Sequence, residues 1–316
     1  MTHPQTLSPA AVPRRGGPPR ALVPRRGRRP SGRRQLTMGA LVAPSIVLVV
    51  LVNAYPLVYA AIQATHNGSL ISSGPYVGLD NFGSVLSDPA FWKAARFTLY
   101  FTLIGVFGSW AVGLGLALLL RSDVPGKSVF RVLLLLPWVV PVVVSATSWN
   151  WLVSTQDSPL PSLTRALGFG DVLFLADPTL AALTVFAFKV WVSFPFMMMV
   201  TGAALEAVDN TVYEAARMDG ASAYRQFRHI TLPLIARPTY ISWILMAIFC
   251  VNDFPTIYLL TGGGPADATN SLVVYSYRLV FQNFQTGYGV AVAFLMTAVL
   301  SAVAAVLYRQ IRRAAL

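Results

Sequence analysis

Six apolar stretches dominate this chain, at roughly 38–63, 95–120, 130–153, 178–204, 238–260 and 288–309. Each is long enough to cross a bilayer as a helix, which takes about 20 residues. Hydrocarbon offers no partner to a backbone amide or carbonyl, so segments of this kind must pair those groups internally, which confines the chain to helices. The expectation is an all-α protein in which residues 36–316 form one six-span transmembrane domain. Composition agrees: 55% of the 316 residues are hydrophobic, 11% are charged, and mean hydropathy is +0.59.

The few charges set the topology. Nine of the 24 Lys and Arg lie before residue 36, and ten more fall near 121–131, within 205–237 and at Arg309, Arg312 and Arg313. The intervening connections, near 64–94, 154–177 and 261–287, hold only Lys93, Arg165 and Arg278. Positive charge concentrates on the cytoplasmic side of membrane proteins, which places both termini and the 205–237 loop inside. The same distribution explains the net charge of +12 as topology, with no nucleic-acid face. Residues 1–35, dominated by Arg, Pro and Gly, cannot bury a core and read as a disordered cytoplasmic tail. The apolar run after Arg33-Arg34 is too long for a signal peptide and lacks a cleavage site. Cys250 lies in an apolar run and reads as a small buried hydrophobe. His3, His66 and His229 are scattered, so no metal cluster stands out.

The loop at 205–237 is the one strongly polar island, with four acidic and four basic residues. Thr211 and Glu214 have capping-box spacing, which predicts a helix starting near Thr211. It runs through good helix formers to Gly220, which can take the left-handed conformation that ends helices. Ser222 can cap a second helix from Ala223 to about Ile230, stopped at Thr231-Leu232-Pro233 because proline lacks an amide and disfavours helix before it.

Glu214-Ala215-Ala216, three residues, Gly220, nine residues, Ile230, one residue, Leu232-Pro233 resembles the EAA loop of bacterial ABC importer permeases. Tyr76-Val77-Gly78-Leu79-Asp80-Asn81-Phe82 and Leu260-Thr261-Gly262-Gly263-Gly264-Pro265 are similar to segments of the carbohydrate-importer branch. The resemblance covers nearly all of the chain from about residue 36. Val208-Asp209 departs from it, standing where relatives often have Ile-Pro. The resemblance implies a six-span permease domain of the type I, MetI-like ABC importer fold in a bacterial cell membrane. Glu214, Ala215, Ala216, Asp219, Gly220, Ile230, Leu232 and Pro233 would then couple to an ABC ATPase dimer that carries the ATP and Mg, with no cofactor on this chain. It also implies a second six-span permease subunit, an extracytoplasmic solute-binding protein and a carbohydrate or polyol substrate.

Polar groups within spans cost a few kcal/mol each and usually face a cavity or a partner. Lys189 stands near Trp191 and Phe194 in the fourth span, and Asn252 and Asp253 precede Phe254 in the fifth. These six are the candidate substrate pathway, because carboxylate and amide oxygens accept from sugar hydroxyls while flat rings cover a pyranose face. An ion pair between Lys189 and Asp253 that simply neutralises both charges fits the residues too. Asn252-Asp253-Phe254 also resembles a segment common in carbohydrate permeases. Pro195 and Pro255 can kink their helices. Gly105, Gly108, Gly113 and Gly115 read as sites of close helix approach.

Gly126-Lys127-Ser128 lacks the glycine five positions earlier that a phosphate-binding loop needs; Arg121 stands there. An ion-coupled secondary transporter would share the intramembrane charges, yet it requires no EAA spacing and commonly shows an internal repeat, which this chain lacks. No nucleophile and base pair supports an enzyme.

Overall fold

The structure, a computed structural model, describes residues 32–72, 74–122 and 125–314. The described residues are helical and joined by turns. In order they are α1 (Gly32–Ala64), α2 (Asp80–Ser87), α3 (Pro89–Leu119), α4 (Lys127–Val139), α5 (Val142–Val153), α6 (Pro159–Ala166), α7 (Pro178–Glu206), α8 (Asn210–Met218), α9 (Ala223–Gln226), α10 (Leu232–Val251), α11 (Phe254–Thr261), α12 (Leu272–Tyr277) and α13 (Thr286–Ala314). The chain packs as two units that divide after Pro56. The first is described only as the opening part of α1, and the second holds everything from Leu57 onward. The tail expected at residues 1–35 lies outside the described residues up to residue 31, and Gly32–Gln35 already belong to α1.

Among the described residues five helices are long and apolar enough to cross a membrane, and a sixth span exists if the bent pair α4 and α5 counts as one. That pair corrects the continuous helix expected at 130–153. Its halves meet at 91° because Pro141 cannot donate to the carbonyl of Pro137. Val140 before it is extended, at φ −69° and ψ 132°, as residues preceding proline tend to be.

The fifth span is also corrected. Ala223 to Val251 run as one 29-residue helix, which stops at Asn252 instead of reaching residue 260. The chain then restarts as α11, where Asp253 caps the new helix by accepting from Thr256 N at 3.1 Å. Pro195, by contrast, sits inside an unbroken α7.

The most extensive helix pairing is that of α3 with α7. A Cβ on Gly113 would stand 2.6 Å from Met198 N, so glycine is required for the backbones to approach there. Lipid supplies no hydrophobic drive between helices, and such close packing is what holds them together. Gly115, expected in the same role, has open space around it. Around this pair lies a central core of Phe101, Phe188, Met197, Met246, Cys250 and Ile257. A second cluster, Leu114, Leu120, Met198, Leu205 and Ile235, supports the α8–α9 loop. A third joins Val85 and Phe91 to Tyr275, Leu279 and Val292.

Candidate functional site: an intramembrane cavity and a charged loop

A cavity of about 400 Å³ opens where the two helix breaks face α7. Trp138, Val140 and Pro141 line it from the α4–α5 bend, and Lys189, Val192 and Ser193 from α7. Met246, Phe249, Asn252, Asp253 and Thr256 line it from the α10–α11 break. Lys189 Nζ lies 2.7 Å from Asp253 Oδ2, and both side chains are under 10% exposed. Asp253 is held further by Thr256, whose hydroxyl donates to Oδ2 at 2.9 Å. The cavity therefore contains an internally neutralised charge pair.

Two polar groups in the lining retain hydrogen-bonding capacity. Asn252 is exposed and donates from Nδ2 to the Ile248 carbonyl at 2.9 Å, which leaves its Oδ1 acceptor uncommitted among the described residues. Ser193 is 1% exposed, and its hydroxyl has no partner among them. Elsewhere on α7, Thr184 and Thr201 donate back to carbonyls one turn earlier. Buried hydroxyls are normally satisfied, so one left open at a cavity wall can pair with a ligand.

Of the six pathway candidates, Lys189, Asn252 and Asp253 come together at the cavity. Trp191, Phe194 and Phe254 are not in its lining. On a helix of about 100° per residue, Trp191 and Phe194 point some 160° and 140° away from Lys189, whereas Ser193 lies only about 40° from it. Trp191 packs on Trp149 and Phe188, with ring centres 5.5 and 5.9 Å away. Phe254 stacks on Tyr258 at 4.7 Å. Ser193, Phe249 and Trp138 were missed. Helical phase from Lys189 would have found Ser193, and the Pro137-to-Pro141 spacing would have marked the bend that brings Trp138 in.

The charged loop folds at one end of the bundle. Its first helix, α8, is capped by Asp209, which accepts from Thr211 N at 2.9 Å. This corrects the Thr211 cap. Asp209 occupies the position where the resemblance expects proline, and its shorter reach to the second amide makes it the acceptor. That backbone bond and the Thr211 hydroxyl hold its carboxyl below the usual range. Gly220 closes the helix at φ +74°. Ala221 N donates to Ala216 O at 2.9 Å and Gly220 N to Arg217 O at 3.0 Å, a paired closure that needs a left-handed residue.

Ser222 caps α9 with a long 3.4 Å contact to Arg225 N. The stop expected at Thr231-Leu232-Pro233 does not occur. A π-helical turn, Phe227–Thr231, carries α9 directly into α10. Pro233 falls in the first turn of α10, and the wider turn absorbs its missing amide. Glu214, Ala215, Asp219, Gly220 and Pro233 are exposed, Ile230 and Leu232 are half-buried, and Ala216 is buried. Tyr213 ties the two arms together through a 3.1 Å bond to Thr231 Oγ1. The loop therefore holds its shape from within while presenting Glu214 and Asp219 outward.

Membrane-length helices, broken at two facing points around a polar cavity and ending in a rigid charged loop, define a multi-span transport permease. The model of binding-protein-dependent transport system inner membrane components matches residues 109–315. The chain belongs to that family.

It is 33% identical over 284 residues to the trehalose/maltose transport system permease protein MalF of Thermococcus litoralis, covering 89% of this chain and 95% of that one. To the sulfoquinovosyl glycerol transport system permease protein SmoG of Agrobacterium fabrum it is 31% identical over 274 residues, covering 86% and 89%. Among solved structures, a bacterial ABC transporter that imports the acidic polysaccharide alginate contains a chain of the same fold. Its TM-score is 0.76 at 20% identity, covering 89% of this chain and 96% of that one.

Proposed function

We propose that this chain is one permease subunit of an ATP-driven importer for a carbohydrate or polyol delivered by an extracytoplasmic solute-binding protein. The observation that carries the reading is the cavity at the two helix breaks, where a neutralised Lys189–Asp253 pair stands beside the open acceptor of Asn252 and the unpartnered hydroxyl of Ser193. An uncharged, hydroxyl-rich solute suits such a lining, and Trp138 and Phe249 supply flat apolar surface. The relative named for trehalose and maltose transport supports an uncharged sugar, and the one named for sulfoquinovosyl glycerol supports the broader carbohydrate class.

In this reading the exposed Glu214, Ala215, Asp219 and Gly220 meet a separate ATPase dimer, which binds the ATP and Mg. Ala216, Ile230, Leu232 and Pro233 shape the loop behind that contact. A second six-span permease completes the pathway, and both termini lie in the cytoplasm.

The test is to purify the tagged chain with its co-assembling subunits, reconstitute them, and measure solute uptake with ATP and binding protein supplied. Asn252→Ala should lower uptake in an assembled complex, and Glu214→Ala should weaken ATPase retention. Uptake that persists without ATP and collapses with an ion gradient would refute the reading.

A further inference from the structure

A second cavity, of about 330 Å³, lies beside the loop between the ends of α3, α4 and α7. Its walls divide chemically. Leu120, Leu135, Met198 and Met199 form an apolar side, while Arg121, Lys127 and Arg131 bring three cations against the single carboxylate of Glu206.

The partners of these charges are unequal. Arg131 pairs with Glu206 at 3.2 Å. Arg121 donates to Asn210 Oδ1 at 2.9 Å and lies 4.5 Å over the Tyr213 ring. Lys127 is half-buried at the start of α4 and has no hydrogen-bond or ion-pair partner among the described residues. A half-buried ammonium without a counter-charge loses hydration without compensation, and the single carboxylate of Glu206 leaves the three cations of the pocket short of negative charge. The rest of α4 presents apolar surface: Val129, Phe130, Val132 and Leu133 are each more than half exposed.

We infer that this pocket holds an anionic phospholipid. The headgroup phosphate is met by Lys127 and Arg131, within the positive field of Arg121, and an acyl chain lies along Leu135, Met198 and Met199. Basic pockets between transmembrane helices on the cytoplasmic side suit such headgroups. A free phosphate would satisfy the cations but leave the apolar wall uncovered, and the wall decides for the lipid. The choice of the inner leaflet rests on the proposed cytoplasmic placement of the loop; binding itself does not. Because Arg121 grips Asn210 and Tyr213 of α8, an occupied pocket also adds an anion beside the anchor of the loop.

The test uses the purified full chain, delipidated in mild detergent and titrated with phosphatidylglycerol or phosphatidylcholine of identical acyl chains, with retained lipid read by native mass spectrometry. Phosphatidylglycerol should be retained preferentially, and Lys127→Gln should weaken it about fivefold, the worth of one cation near an anionic surface. Among the described residues Lys127 touches no other side chain through a polar contact, so this variant should leave the fold intact. Glu206→Gln, which removes the competing carboxylate, should strengthen retention. Equal retention of the two lipids, or an unaltered affinity in Lys127→Gln, overturns the inference. Displacement of the lipid by inorganic phosphate at matched concentration would make the pocket a phosphate site and overturn it too. These readouts need neither ATP nor transport, so failure here is distinguishable from failure of the proposed function.

Discussion

Removing one member of the Lys189–Asp253 pair should cost far more than removing both. The two groups approach to 2.7 Å with almost no solvent contact, and breaking a buried pair from one side typically costs about 3–5 kcal/mol, because the survivor keeps its charge without its partner. The two single variants should differ. Lys189→Met leaves Asp253 with both Thr256 donors, at 3.1 and 2.9 Å, and should fall at the lower end. Asp253→Asn leaves the Lys189 ammonium an uncharged amide oxygen but no counter-charge, and the ring of Phe101, 5.7 Å from its nitrogen to the centroid, is a weak substitute. A cation over phenylalanine recovers only about 0.5–2 kcal/mol, so this variant should be the worse. The double variant should regain most of the loss, since burying two uncharged groups in their place is often neutral or stabilising. Unfolding in mixed micelles titrated with a denaturing detergent, followed by tryptophan fluorescence, reads all four corners of the cycle. A double variant no more stable than the worse single one, or an Asp253→Asn as stable as wild type, would refute the argument. Uptake by the double variant separates the roles further: full activity would mean the pair only neutralises itself, and loss would mean the solute reads it.

Gly220→Ala should lower the stability of the loop by about 1–2 kcal/mol, the cost of a left-handed residue with a Cβ, although open space surrounds the site; hydrogen exchange at the Gly220 and Ala221 amides should rise while that of α3 stays unchanged. Gly113→Ala should destabilise the whole bundle by about 1–3 kcal/mol through overpacking against Met198, with detergent thermal stability as the readout. Asp88 accepts from the hydroxyls of Tyr275 and Tyr288 and from Ala90 N. Burial pushes its carboxyl up, but these bonds outweigh it and hold it below the usual range. A depressed folded value means the clasp between the start of α3 and helices α12 and α13 is complete above the ordinary carboxylate range and is lost as pH falls through the lowered value; exchange protection at the start of α13 that instead weakens near neutral pH would count against it.

Apolar length alone carried the spans, because a helix in hydrocarbon has no alternative way to pair its backbone. What it could not carry was where those helices stop being helices. Hydropathy is blind to Pro141, which changes no apolar score yet turns the third span through 91°. It registers Asn252-Asp253 as polar residues but not as a stop, and α10 ends there because Asp253 caps α11 by accepting from Thr256 N. Site residues were legible where charge singled them out, as with Lys189 and Asp253. Trp191, Phe194 and Phe254 were grouped with them by nearness along the chain, but on a helix the relevant nearness is angular. Ser193, four residues from Lys189, was invisible because serine in a span commonly satisfies itself on the preceding turn, whereas in the fold this hydroxyl has no partner among the described residues. In the loop, Thr211 lost the cap to Asp209 by two positions, and the proline stop at Leu232-Pro233 was overridden by a π-turn that sequence rules do not anticipate.

That override joins the two parts of the site. Had the second loop helix stopped before Pro233, the loop and the fifth span would be separate bodies linked by a flexible turn, and movement of one would be absorbed before reaching the other. Instead Ala223–Val251 form one rod of 29 residues, about 44 Å long at 1.5 Å per residue. One end carries the Ser222 cap and the Gly220 closure. The other ends at Asn252 and Asp253 in the cavity wall, where Lys189 fastens it to α7. Phe227 and Leu232 pack the rod at its loop end against the cluster around Leu205 and Ile235, so a tilt imposed on the loop pivots there. A pivot near one end of a stiff helix enlarges displacement at the far end. Under the proposed function, this continuity is the physical path by which closure of an ATPase against Glu214 would reopen or close the polar cavity, and the Lys189–Asp253 bond is the contact placed to resist it or release it.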